Sequence, residues 1–314
     1  MEWTSLGRHT TDRPVHPKPI YAKIPSRGVH SPLLRSGQAQ PLRGRVSSPT
    51  DLDDWNGRDN DRMKMQRFRL LLAMTLFTLA VLSSRLFGGQ QDDALETARL
   101  LAILLDSGRV TVAKHQGLIN SPSQTDKKFT PELFEQEVHA EFQRQTGIAL
   151  NTLEGATVPA MAKPLLAQLL RDSVGTIQSY QPVLSIPGMR YKGLIPATFG
   201  TETAARFQKF SPIYMKQTAP DHLVRNLKNK PDAYETAAFE RFGGSSSASG
   251  KRQIISELVD EGRSARLMLP LYYEKSCLAC HGEPKGERDI SGYAREGGKE
   301  GDLGGAISVM IPLK

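Results

Sequence analysis

The chain has 314 residues, room for one or two domains of about 150 each. A hydrophobic share of 39% beside 27 glycines is that of an ordinary globular protein, and it excludes a collagen-like, coiled-coil or wholly disordered chain. The net charge of +8 invites a polyanion partner, but residues 1–69 hold 13 Lys/Arg and 7 Asp/Glu, which leaves 28 and 26 for residues 70–314. A nucleic-acid-binding domain carries its own basic face, so no nucleic-acid partner is expected. Two cysteines, Cys277 and Cys280, exclude a disulfide framework.

Residues 1–50 contain seven prolines and no apolar periodicity, and residues 51–62 continue them in acidic form. Such a segment buries too little to offset its ordering entropy, so 1–66 reads as a disordered, basic, Pro-rich tail. The run Leu70 to Leu82 is apolar apart from two threonines. Thirteen residues fall short of the ~20 of a bilayer span and match the apolar core of a secretory signal, ~7–15 long. Read from Met63, basic, apolar and small-polar regions follow in the order of an export signal. Translation starting at Met63 or Met65 fits that pattern and would make 1–62 a mis-called extension. Residues 67–88 are therefore expected to be a signal peptide or transmembrane anchor. Positive charge before it and Asp92, Asp93 and Glu96 after it put the C-terminal part outside, in the periplasm of a bacterial inner membrane or released there on cleavage.

From residue 92 the pattern is globular. An amphipathic helix is expected over 92–119, with Leu95, Ala98, Ala102, Leu105, Val112 and Ile119 on one stripe. A second opens at Pro131 behind Thr130, a good N-cap, and closes before Gly147; a third covers 164–180. Strands are expected at 213–218, 253–259, 266–272 and 306–311. The middle pair joins through Asp260-Glu261-Gly262, and 243–251 is a Gly/Ser-rich loop. Helices followed by antiparallel strands make an α+β domain over 92–314.

Residues 277–281 read Cys-Leu-Ala-Cys-His, the spacing for covalent attachment of a c-type haem. Two thiols three residues apart can each add to one vinyl group of the porphyrin, and the adjacent imidazole then meets the iron. Shuffling this composition yields the pattern with roughly three chances in ten thousand. A zinc site needs a second ligand pair, and there is no other cysteine. A thiol–disulfide pair would sit beside a βαβ unit at a helix start, which these surroundings do not offer. One covalently attached haem c is the expected cofactor. For the opposite axial position, His9, His16 and His30 lie in the tail, leaving His115, His139 and His222 or a methionine such as Met310. His115 stands on the first helix's apolar stripe with Gly108 two turns before it, where a porphyrin edge could fit. It is the candidate distal ligand; water-bound or five-coordinate iron, and a hydrogen-bonded core histidine, are the competing readings.

The chain resembles the Tll-like, PAS-like single-haem c-type cytochrome domains, found alone or as extracytoplasmic input domains of bacterial sensor proteins. The resemblance covers about 92–314. It rests on GRVTVAKHQGLIN (108–120), DKKFTPELF (126–134), YKGLIPATFG (191–200), RNLKNKPDAYE (225–235), YYEKSCLACHGEPKGE (272–287) and GDLGGAIS (301–308). It implies a PAS-like antiparallel sheet with flanking N-terminal helices, Cys277 and Cys280 as attachment residues and His281 as axial ligand. Parts of the family place a cysteine opposite, near where His115 stands; with no spare cysteine here, a His/His pair is the expectation. Arg225, Asn226 and Asn229 match a family motif. They can hold a haem propionate or, the preferred reading, fix the loop and cap a helix beginning at Pro231. Gly304 and Gly305 suit close backbone approach, to haem or to a neighbouring strand.

Haem binding leaves the use open. A redox or ligand sensor and an electron carrier are the preferred functions, each with a redox or signalling protein partner and a membrane held through 67–88. A peroxidase-like enzyme and a non-haem CxxC thiol–disulfide protein are the alternatives. An enzyme needs an open iron face with acid–base groups, for which Arg190 and Lys192 are the candidates.

Overall fold

The computed structural model describes residues 51–123, 129–243 and 252–313, with the side chains of 51–64, 66, 73 and 76–88 not among those described. The expected tail, residues 1–50, and most of the 243–251 loop lie outside the described residues. The chain divides into two units, Met1–Arg67 and Phe68–Lys314. In the first, helical backbone begins at Asp51, inside the stretch that composition assigns to the tail; the last tail proline is Pro49, and none follows in 51–66 to stop a helix.

The long helix α1 spans Asp51–Lys114. It passes through the apolar run without a break, and among the described residues no helix is long and apolar enough to cross a membrane. Within 65–74 the side chains of Met65, Phe68, Leu70, Leu71, Leu72 and Met74 are exposed. Further along, the expected one-sided stripe gives way to burial all round, for every residue from 100 to 108 is buried. Neighbours on several sides explain this: Gly108 meets Phe199 and Phe134, and Arg109 Nε donates to Gln217 on the sheet, 2.8 Å. The helix ends at Lys114, His115 forms the break, and a short turn, α2, covers Gln116–Ile119.

Local chemistry sets the next boundaries. Helix α3 runs Pro131–Thr146, its Thr130 hydroxyl accepting from Leu133 N–H and its end closed by Gly147 at φ 76°. Helix α4 spans Ala162–Leu184, and α5, Pro196–Phe207, starts with proline in its first turn. Helix α6, Ala233–Phe242, is capped by Asp232, which accepts from Glu235 N–H while the Glu235 side chain accepts from Asp232 N–H. The expected helix start at Pro231 thus moves two residues on, and the cap is neither Asn226 nor Asn229.

Among the described residues four strands form one antiparallel sheet: β1 (Tyr214–Thr218), β2 (Ile255–Val259), β3 (Ser264–Tyr272) and β4 (Leu303–Pro312), in the order β1-β4-β3-β2. The β2–β3 hairpin turns at Asp260-Glu261-Gly262 as expected, with positive φ at all three residues. Period-2 alternation divides the sheet. Ala265, Leu267, Leu269, Ile307, Val309 and Ile311 join the main core with α1, α3, α4 and α5; Met268 and Ala306 join Ala238, Phe239 and Phe242 beneath α6. The domain is α+β, as the sequence led one to expect.

Candidate functional site

Strand β3 ends at Tyr272, and from Tyr273 the chain enters the motif. A 3-10 turn, Lys275–Cys277, leads into the single turn α7, Leu278–His281. This brings Cys277, Cys280 and His281 together on one short coil. Both thiols are free and half-buried. Burial, with Asp289 beside it, pushes the Cys280 thiol above its ordinary value. A turn whose partly accessible thiols lie three residues apart can present both to one planar ligand.

The imidazole of His281 is held from behind. Its Nδ1 lies 2.9 Å from Glu296 Oε2 and 3.2 Å from the Tyr273 hydroxyl, and the two rings stack with centroids 4.8 Å apart. Among the described residues Nε2 has no hydrogen-bond partner. A histidine whose Nδ1–H is claimed by a carboxylate presents Nε2 to a metal, the usual arrangement of a ligating imidazole. No group of three or more His, Cys, Asp or Glu that could hold a bare ion occurs among the described residues. Burial, then the Arg225 charge, holds His281 below its ordinary value.

Glycine makes room for the stacking partner. A Cβ at Gly304 would stand 2.2 Å from the Tyr273 ring, and one at Gly298 would stand 2.6 Å from it. Tyr273 is wedged between the two backbones. Gly304 thus serves this ring, whereas Gly305 serves the strand: its Cβ would meet Thr218 O at 2.7 Å.

Arg225 closes the site from another part of the chain. Its Nη2 donates to the Cys280 carbonyl, 2.9 Å; Nη1 donates to Asp289, 2.7 Å; Nε and Nη2 donate to the two oxygens of Glu296, 2.8 and 3.0 Å. Tyr293 covers the guanidinium, 5.4 Å from its ring centre. Burial alone would raise Glu296, but the Arg225 hydrogen bond and the His281 imidazole together outweigh it and hold the carboxyl below its ordinary value. The preferred sequence reading of this motif joined helix capping to loop-fixing; Arg225 makes loop contacts, and the cap of α6 is Asp232 instead. Asn226 accepts from Lys228 N–H, 3.0 Å, starting the turn Leu227–Asn229. Asn229 is buried and accepts from the Thr201 hydroxyl, 3.0 Å.

The other expected ligands lie elsewhere. His115 Nε2 is 2.8 Å from Glu137 Oε1, and its ring packs 4.7 Å from Phe129. As placed, the ring does not offer that nitrogen to a metal, and it shares no contact with His281. The space ascribed to Gly108 is filled, since a Cβ there would meet the Phe199 ring at 2.5 Å. His139 lies near Glu135, 4.0 Å, and His222 sits in a 3-10 turn. Lys192 is buried with Nζ on the Ile186 carbonyl, which leaves it no acid–base role as placed. Sequence reading missed Tyr273, Asp289 and Glu296. The one signal available was the glycine pairs 297–298 and 304–305, which flag a large ring close to backbone.

Comparison with known proteins places residues 90–312 in the Tll0287-like family, and the chain belongs to it. A solved structure similar to this chain is the cyanobacterial heme-protein Tll0287. It is 20% identical, the match covers 48% of this chain and 91% of that one, and the TM-score is 0.33. No curated protein matches.

Proposed function

We propose that the chain is a c-type haem protein carrying one haem, joined by thioethers to Cys277 and Cys280 and ligated by His281, and that it works outside the cytoplasm in redox or ligand sensing or in electron transfer. The observation that carries this reading is the turn 277–281, with two accessible thiols at attachment spacing and an imidazole whose Nδ1 is taken and whose Nε2 is free. Membership in a family whose namesake is a heme-protein supports it. When bound, the haem supplies a one-electron iron couple. The chain's own part is to form the two C–S bonds, to hold His281 upright on Tyr273, and to fix the Cys280 carbonyl through Arg225. Residues 67–88 act as leader or anchor for export, and a redox or signalling protein is the partner. We read the sheet as PAS-like, a reading supported by the pairing of its first strand with its last and by the main helical layer on one face, with α6 on the other.

The test is mass spectrometry and a pyridine haemochrome spectrum on protein matured in an exporting host. One haem should survive denaturation, and Cys277→Ala and Cys280→Ala should each leave one thioether. Matured protein without covalent haem defeats the reading, and a reversible Cys277–Cys280 disulfide in its place would make this a thiol–disulfide protein.

A further inference from the structure

We propose that Glu296 is the positioning carboxylate of the axial His281, and that Arg225 sets how much of its negative charge reaches the imidazole. This rests on the haem reading above and concerns residues that no motif singled out for the task.

Two independent attachments fix Glu296 against the ring. Its Oε2 lies 2.9 Å from His281 Nδ1, and two residues later Gly298 N–H donates to the His281 carbonyl, 2.7 Å. The chain turns between these points at Gly297, φ 79°, a conformation other residues rarely adopt. The carboxylate is thus pinned through the backbone of the ligand it addresses. A carboxylate accepting Nδ1–H gives an imidazole imidazolate character, which raises its basicity and favours the more positive, oxidised iron.

Arg225 opposes that effect. It bonds both oxygens of Glu296, and its charge is drawn the other way by Asp289, whose side chain is wholly buried. The order His281–Glu296–Arg225–Asp289 alternates in sign, so each member tempers the next. The same guanidinium holds the Cys280 carbonyl, which couples the covalent anchor to the charge reaching the iron ligand.

The experiment is spectroelectrochemical titration of the haem-loaded protein. Glu296→Gln keeps an acceptor for Nδ1–H and removes the charge; the ratio of reduced to oxidised protein at a fixed potential should rise about tenfold, equivalent to ~59 mV upward for one electron. Arg225→Gln should shift the ratio the opposite way, because the carboxylate is no longer neutralised. A merely structural role would move both variants in one direction, so a shared sign or an unmoved potential overturns the proposal. Should neither variant retain haem, the wild type decides: the His281 Nδ1 proton of the reduced protein should exchange slowly with solvent, and fast exchange overturns it. Wild-type protein lacking covalent haem would instead defeat the function proposed above, whereas loaded protein with unshifted variants defeats Glu296 alone.

Discussion

From residue 100 to 108 every side of α1 is buried, whereas between residues 274 and 302 only Gly282 and Asp289 are. The first region belongs to a core of aliphatic and phenylalanine side chains whose attraction has no direction. The second is tied down by donors and acceptors: Tyr273 N–H to the Asp302 carbonyl, Gly301 N–H to the Tyr273 carbonyl, Gly298 N–H to the His281 carbonyl, and the Arg225 fan. A core of that kind tolerates repacking, while a segment held by directed bonds keeps one geometry or loses it. The half built for position rather than for burial is the half that carries the motif.

Substitutions in the two regions should therefore read differently. Phe199 is fully buried, fills the space over Gly108 and packs 5.3 Å from Phe134. Phe199→Ala should cost about 3–5 kcal/mol in denaturant unfolding. A cost under about 1 kcal/mol would mean that the ring is not part of the common core.

Gly304→Ala tests the directed half. The added Cβ would enter the Tyr273 ring along its Cδ1–Cε1 edge, while the Gly298 backbone closes on the Cδ2–Cε2 edge. The expected cost is about 1–3 kcal/mol, and with it goes the stacking of Tyr273 on His281, visible as a change in the haem absorption bands. Full stability with an unchanged spectrum would show that Tyr273 is free to move.

A pH titration of stability probes a polar patch belonging to the core. Glu141 is buried and bonded to Arg144, Gln145 and Lys114. Burial favours its neutral form, but these partners prevail and hold it below its ordinary 4.5. A carboxyl lowered on folding contributes stability that is fully present above 4.5 and is lost as pH falls through its folded value. The midpoint of thermal unfolding should therefore fall below about pH 4.5, and less steeply in Glu141→Gln. Equal slopes in the two proteins would remove Glu141 from the account.

The contrast also explains what could be read from the sequence. Thr130, Pro131 and Gly147 announced α3 to the residue, because capping chemistry is local. The strands came within a few residues, because alternation is local too. Helix α5 escaped notice although Phe199, Thr203 and Phe207 recur every four residues, since Gly200 and the alanines between them give a weak pattern. At the site, Cys277, Cys280 and His281 were legible because the chemistry fixes their spacing. Glu296 was not, for it reaches His281 only through the path of a loop, and Arg225, marked by a family motif, meets it across 71 residues of chain that no local pattern spans. The porphyrin space imagined beside Gly108 failed for the same reason, its occupant being a phenylalanine far along the sequence.

His115 gives the smallest effect and the sharpest test of that boundary. Periodicity put it on the face of the first helix; in the structure it is the residue at which α1 breaks, with Nε2 on Glu137 and its ring on the buried Phe129. Removing the ring forfeits one hydrogen bond with a net worth of about 1 kcal/mol and one aromatic contact of about 0.5–1.5 kcal/mol. Exposure of the pair lowers the total, so His115→Ala should cost about 1–2 kcal/mol. Because its Nε2 is committed to Glu137, the haem spectrum of the variant, with and without CO, should match that of the wild type. A low-spin spectrum turning high-spin in His115→Ala would mean that the bond to Glu137 is exchanged for one to iron when haem binds, and would make α1 part of the site rather than of the core.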